Sequence, residues 1–63
     1  MLVKDFVMVS TYDYIDIVRD GELVETYDRE NSTYIENANA TIISINPIKG
    51  CWYYIGIELE IEP

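Results

Sequence analysis

Residues 14–27 read YIDIVRDGELVETY, and this stretch decides the fold. Two runs rich in β-branched and aromatic residues flank the dipeptide Asp20-Gly21, which is typical of a two-residue type I′ hairpin loop. Such a loop requires positive φ at both central positions, and Asp tolerates this conformation while Gly adopts it freely. The sequence therefore predicts an antiparallel hairpin whose loop sets the register.

The predicted register runs outward from the loop without interruption. The expected pairs are Arg19–Glu22, Val18–Leu23, Ile17–Val24, Asp16–Glu25, Ile15–Thr26 and Tyr14–Tyr27. One face of the hairpin, with Ile15, Ile17, Val24 and Thr26, is assigned to the core because it carries the aliphatic side chains. The other face would carry two tyrosines and a pair of facing carboxylates.

The remaining segments complete a small α+β domain. Apolar residues recur at helical spacing over residues 2–9, which predicts a short helix, with an extended segment as the alternative. Residues 28–40 form a polar connection in which Ser32 would cap one helical turn over 32–38. Residues 41–46 and 51–61 are predicted as a second hairpin around the turn at 47–50.

The predicted fold class is therefore α+β, with the whole chain, residues 1–63, in one domain. A four-stranded antiparallel sheet of two β-hairpins is covered on one side by a short N-terminal helix, and an all-β fold is the alternative. The expected core consists of Phe6, Ile15, Ile17, Val24, Ile43, Ile45, Tyr53, Ile55, Ile57 and Leu59.

The composition limits the possible partners. Twelve Asp and Glu residues against four Lys and Arg give a formal net charge of -8. Such a field attracts cationic partners and repels nucleic acid and anionic membranes. Four scattered cations cannot form a stripe that neutralises phosphates, so direct nucleic-acid binding is not expected. A segment typical of a signal peptide or a membrane span is missing from this sequence, which predicts a cytoplasmic protein.

Catalysis, metal binding and cofactor binding are not expected. Cys51 is the single cysteine and there is no histidine, which leaves no intrachain disulfide, no usual zinc ligand set and no ordinary acid–base group. The serines have no base to activate them. Residues 28–36 resemble part of a calcium loop, but Thr33 replaces its glycine and Asn39 its bidentate glutamate. We therefore predict that the chain is not an enzyme.

The candidate binding residues come from strand alternation. In the last strand Trp52, Tyr54, Glu58 and Glu60 alternate with the aliphatic residues, so they are expected to share a face with the outer residues of the first hairpin. The predicted partner-binding residues are Tyr14, Asp16, Glu25, Tyr27, Trp52, Tyr54, Glu58 and Glu60. Aromatic anchors among carboxylates favour docking to a basic protein surface. The alternative is a merely solvated strand face, because aromatics favour strands and acids favour solvent.

The order of these segments resembles a group of phage proteins. The segments that carry the resemblance are Val3-Lys4-Asp5-Phe6, then Ile15-Asp16-Ile17-Val18 before Asp20-Gly21, then Ile55-Gly56-Ile57-Glu58-Leu59. This layout is similar to that of small acidic proteins encoded by bacteriophages and bacterial mobile elements. Several such proteins inhibit host nucleases, including CRISPR effectors and restriction enzymes, some by imitating DNA. The resemblance implies an inhibitor in the cytoplasm of a bacterial host and assigns no site residues. The alternative function is a structural or accessory protein that self-associates through its aromatic face or an edge strand.

Overall fold

A helix precedes four strands in the computed structural model, which describes residues 1–48 and 55–63. The elements are α1 (Val3–Val9), β1 (Tyr14–Arg19), β2 (Glu22–Asp28), β3 (Ile42–Pro47) and β4 (Gly56–Ile61). The α+β prediction and the N-terminal helix are confirmed, and the all-β alternative is wrong. The predictions for Trp52, Tyr53 and Tyr54, for residues 49 and 50 of the second turn and for residues 51–54 of the fourth strand lie outside the described residues. Pro47, predicted to begin that turn, is the last residue of β3. Across both described ranges, no helix is long and apolar enough to span a membrane.

The sheet is mixed, with strand order β2-β1-β4-β3. β1 pairs antiparallel with β2, and β3 pairs antiparallel with β4, as the two predicted hairpins require. The central strands β1 and β4 run parallel, so the prediction of a purely antiparallel sheet is wrong. The connection from β2 to β3 carries the chain from one edge of the sheet to the other, and β4 then returns beside β1 in the same direction. A turn sequence favours pairing of the two strands that it joins, but it does not decide how two hairpins meet.

The register of the first hairpin is correct at the loop and shifts beyond it. Asp20 and Gly21 have φ of 53° and 76°, as the predicted loop requires. Arg19 pairs with Glu22 and Val18 with Leu23, and then a β-bulge at Val24 moves every later pair by one residue. The observed pairs are Ile17–Glu25, Asp16–Thr26, Ile15–Tyr27 and Tyr14–Asp28. Because strand side chains alternate, this shift exchanges the faces of residues 25–27.

The core lies between α1 and the sheet. It consists of Val3, Val7, Ile15, Ile17, Ile57, Leu59 and Ile61, with Phe6 and Ile35 among the partly buried residues packed against it. Ile15, Ile17, Ile57 and Leu59 of the central strands are therefore buried as predicted. Ile55 is wrong as a core prediction, because it precedes β4, is half-buried and is not part of the core cluster. Val24, Ile43 and Ile45 are wrong as core predictions, with 38%, 54% and 50% of their surface exposed. They lie on the edge strands, and Val24 is the bulged residue.

The first turn of helix α1 is held by contacts from elsewhere in the chain. Its seven residues are too few to be helical alone. Leu2 provides no side-chain cap, but the N–H groups of Val3 and Lys4 donate to the carbonyls of Ala40 and Ala38, at 3.0 and 2.9 Å. The connection between β2 and β3 thus lies on the same side of the sheet as α1 and satisfies the first turn of the helix.

Candidate functional site

The side of the sheet opposite α1, called here the outer face, carries three carboxylates from the two central strands. The parallel register pairs Asp16 with Glu58 and Val18 with Glu60. Ile15 and Ile17 are buried against α1, so alternation directs Asp16 and both glutamates to the opposite side. Adjacent strands are about 4.8 Å apart, and residues two apart on one strand about 6.7 Å. The three carboxylates therefore form one compact group.

Short polar side chains on the edge strands orient two of these carboxylates. Thr26 Oγ1 donates to Asp16 Oδ1 at 3.0 Å from β2, and Ser44 Oγ donates to Glu60 Oε1 at 3.1 Å from β3. Asn46 Nδ2 in turn donates to Ser44 Oγ at 3.0 Å. The bulge thus gives Asp16 a hydroxyl donor where the predicted register placed the like charge of Glu25. Thr26 was predicted to be in the core and instead lies on the outer face.

The described basic side chains lie on the other side of the sheet. Lys4 is on α1, and Arg19 pairs with the buried Ile61 and donates to Asn37 Oδ1 and to the Glu62 carbonyl, both at 3.3 Å. Arg29 contacts the end of α1. Within residues 1–48 and 55–63, the acidic outer face is therefore separated from the cations by the thickness of the sheet.

Half of the predicted binding residues share this face. Tyr14, 44% exposed, lies there with Asp16, Glu58 and Glu60, as expected from alternation. Glu25 and Tyr27 do not, because the bulge turns both toward α1. Trp52 and Tyr54 lie outside the described residues.

Glu25 and Tyr27 have structural roles on the helix side. The Glu25 carboxylate accepts three hydrogen bonds, from the Glu36 N–H at 2.8 Å, the Asn37 N–H at 3.0 Å and Asn37 Nδ2 at 2.8 Å. The Tyr27 ring packs against the core, and the Arg29 guanidinium carbon is 6.0 Å from the centre of this ring. Glu25 therefore anchors the turn at residues 36–39 and is not positioned to join the outer face.

Arg29 is a key residue that the sequence did not reveal. Its Nε donates to the Tyr12 carbonyl at 2.8 Å. One terminal nitrogen donates to the carbonyls of Val7 and Ser10 and to Ser10 Oγ, at 3.2, 3.1 and 3.1 Å. A cation at the C-terminal end of a helix also meets the negative end of the helix dipole. An arginine within a polar connection gives no signal of this role, because its partners are main-chain atoms distant in sequence.

Asp28 organises the start of the connection. Its Oδ2 accepts from Asn31 Nδ2 at 2.8 Å and its Oδ1 from the Glu30 N–H at 3.0 Å. The hydrogen bond from the Asn31 side chain, with further bonds from the backbone of Glu30 and Asn31, lowers the Asp28 pKa below its ordinary value. The Ser32 hydroxyl accepts from the Asp28 N–H at 3.0 Å. The predicted helical turn over 32–38 is wrong, and a turn at residues 36–39 replaces it.

Comparison with protein-family models, curated proteins and solved structures finds no significant match to this chain. The resemblance to small phage proteins therefore stays a prediction, and the function is inferred from the geometry of the chain itself.

Proposed function

We propose that this chain is an interaction protein that binds a basic protein surface through the outer face. The observation that supports this best is the parallel pairing of β1 with β4, which groups Asp16, Glu58 and Glu60 on the side away from the described cations. The proposed partner is a host nucleic-acid-binding enzyme in the bacterial cytoplasm, which the chain would inhibit by occupying its basic groove. CRISPR effectors and restriction enzymes are partners of this kind, and the sequence resemblance implies an inhibitor of such enzymes.

The cost of the arrangement in the free protein supports a binding role. Like charges that directly face each other across neighbouring strands are destabilising. Asp16 and Glu58 are such a pair, and Glu60 adds a third charge nearby. A partner that supplies Lys or Arg side chains would convert this repulsion into attraction. Tyr14, exposed beside Asp16, would add apolar contact area.

The geometry also suits competition with nucleic acid. Carboxylates two residues apart on β4 are separated by about 6.7 Å, a spacing close to that of successive phosphates along a strand. Hydrogen bonds from Thr26 and Ser44 hold two of the three carboxylates in place before a partner arrives. Preorganised charges lose little entropy on binding. Charge complementarity of this kind raises association rates and makes them sensitive to salt.

The test is capture of partners from a bacterial host lysate at low and high salt. The variant Asp16→Asn, Glu58→Gln, Glu60→Gln changes the net charge from -8 to -5, since three negative charges are removed. Its amide oxygens can still accept the bonds from Thr26 and Ser44. We expect this variant to lose the partner that the natural chain captures at low salt.

A matched control separates the outer face from net charge. Glu22→Gln, Glu30→Gln, Glu62→Gln also changes -8 to -5, but at exposed positions outside the outer-face group. The control should retain the partner. Retention by both variants, or equal loss by both, would refute the proposed binding face, provided that circular dichroism shows both to be folded.

Self-association through an edge strand is the alternative, and the edges give it less support. β3 contains an irregularity between Ile42 and Ser44 and ends at Pro47, which cannot donate to a ladder. The Ile42 N–H donates to the Met1 carbonyl at 2.9 Å, so the N-terminus covers the start of this strand. β2 is interrupted by the bulge. Bulges, prolines and covered ends are the usual protection against edge-to-edge pairing. Sedimentation showing a dimer at micromolar concentration would favour the alternative.

A further inference from the structure

The outer face carries exposed apolar side chains near both ends of β1, in addition to its carboxylates. Tyr14, at the start of β1, is 44% exposed. Near the other end, alternation directs Val18 outward, and its direct partner Leu23 on β2 shares that face and is 56% exposed. Neither Tyr14 nor Leu23 belongs to the core cluster. Asp16 therefore lies between two exposed apolar side chains on one face.

The carboxylates of Asp16 and Glu60 are drawn toward opposite edges of the sheet. The Thr26 hydroxyl on β2 donates to Asp16, and the Ser44 hydroxyl on β3 donates to Glu60. Because β1 and β4 are neighbours at the centre of the sheet, these two carboxylates lean away from each other. The line between the central strands is therefore bordered by one carboxylate on each side.

The shape of the outer face favours a helix as the bound element. The backbone groups of a sheet point to neighbouring strands, so a segment lying on the face must satisfy its own N–H and C=O groups, as an α-helix does. An extended segment would instead add to a sheet edge, and β2 is interrupted by the bulge while β3 ends at Pro47. A second sheet packs through a broad apolar face, whereas the centre of the outer face is acidic.

The spacing along β1 matches the repeat of a helix. Tyr14 and Val18 are four residues apart on one strand, which is about 13 Å. Helix residues about seven or eight positions apart lie on one side and are separated by about 11–12 Å. A helix with apolar residues at this spacing can contact Tyr14 and Leu23 together. Basic residues between them can then reach the two bordering carboxylates.

We propose that the partner presents a basic α-helix, which lies along β1 and β4 and packs apolar side chains against Tyr14 and Leu23. This inference rests on the proposed function and specifies the element of the basic partner that the outer face binds. Charge complementarity places Lys or Arg side chains beside Asp16 and Glu60. The apolar contacts add affinity that salt does not screen, in contrast to the ion pairs.

The experiment measures binding of synthetic peptides to the full chain by fluorescence anisotropy. The first peptide is an alanine-rich helix of about 20 residues, with arginines on one side between two leucines about eight positions apart. The second has glutamine in place of both leucines and the same charge. The third keeps the leucines and arginines but has a central proline that breaks the helix. We expect the leucine helix to bind about fivefold more tightly than either of the others, the scale of burying part of a leucine side chain.

Matched variants show whether the contacts are those proposed. Leu23→Thr keeps a residue that favours strands but removes most of the apolar surface. It should weaken binding of the leucine helix about fivefold and leave the glutamine peptide unchanged. Ile45→Thr is the control, because Ile45 is 50% exposed on the other edge strand and pairs with the buried Leu59, which places it on the helix side. The control should change affinity less than about twofold.

The outcomes separate this inference from the proposed function. Equal affinity for the leucine and glutamine peptides, equal binding of the proline peptide, or equal losses in Leu23→Thr and Ile45→Thr would overturn the helix. A partner captured from lysate that is lost with the three-carboxylate variant but unaffected by Leu23→Thr would also overturn it, while the proposed function would stand. If the three-carboxylate variant keeps that partner, the proposed function itself fails. ¹⁵N–¹H NMR shifts at residues 14–18, 23 and 56–60 should accompany binding, and shifts confined to other residues would contradict the proposed position.

Discussion

Replacement of Arg29 by Met tests how the helix is attached to the sheet. The substitution keeps an apolar stem of similar length but removes every donor of the guanidinium group. The carbonyls of Val7, Ser10 and Tyr12 and the Ser10 hydroxyl then lose their hydrogen bonds from Arg29. Since α1 is too short to persist alone, its C-terminal end should detach more readily.

The magnitude follows from the number of acceptors. A net hydrogen bond contributes about 1 kcal/mol, and more with a charged donor. Three partly buried carbonyls lose a hydrogen bond from a charged donor. Because bonds that share one guanidinium group are not fully additive, we expect a total loss of about 3 kcal/mol, less than the sum of three such bonds. At about 0.05–0.15 kcal/mol per residue, a chain of this length has roughly 3–9 kcal/mol of stability in total. The midpoint of thermal unfolding should therefore fall by about 12–24 °C.

Arg19→Met is the matched control. It is the same substitution with the same change in net charge, but Arg19 makes two longer bonds, both at 3.3 Å. Its cost should stay below about 1 kcal/mol. The assay is urea and thermal unfolding followed by circular dichroism, with amide exchange at residues 6–10 as a local readout. If Arg29→Met costs no more than Arg19→Met, the guanidinium group does not hold the helix and the reasoning is wrong.

Three further predictions concern the turns. Gly21→Ala should lower the free energy of unfolding by about 1 kcal/mol. The reason is backbone strain at φ of 76°, since an added Cβ would have no atom within 4 Å. An unchanged midpoint of urea unfolding would contradict this. Glu25→Ala should destabilise the chain by about 1–3 kcal/mol, because it removes three hydrogen bonds from residues 36 and 37, and the variant should still capture the partner. Loss of capture with unchanged stability would show that Glu25 binds the partner and has no structural role. Because folding lowers the Asp28 pKa, its ionised carboxylate stabilises the folded chain. This stabilisation is fully present above the ordinary pKa of 3.8 and is lost as pH falls through the lowered pKa. Asp28→Asn should therefore reduce the acid-induced loss of stability measured by urea unfolding, and an identical pH profile for both chains would count against this.

Local rules account for the elements that the sequence predicted correctly. The helix was expected over residues 2–9 and is found at Val3–Val9, and both strands of the first hairpin begin where they were expected. The Asp20-Gly21 loop and the burial of Ile15, Ile17, Ile57 and Leu59 depend on backbone preference and on alternation within one strand. These properties are encoded by neighbouring residues, so they can be read without knowledge of the fold.

The candidate surface was predictable only where alternation was uninterrupted. Asp16, Glu58 and Glu60 lie on the outer face because each belongs to a regular central strand. Glu25 and Tyr27 were misplaced because the bulge at Val24 lies between them and the loop that set their register. The sequence gives no clear signal of the bulge. As a result of the bulge, Asp16 faces the Thr26 hydroxyl and not the Glu25 carboxylate of the predicted register.

The chain's own residues thus determined an acidic α+β unit with a tight first hairpin and aliphatic central strands. Tertiary structure alone decided the parallel pairing of β1 with β4, the bulge, and the contacts of Arg29 and Glu25. The physical reason is the range of the interactions. Turn conformation and strand alternation act over a few residues, whereas these contacts join positions that approach each other only after the chain has folded.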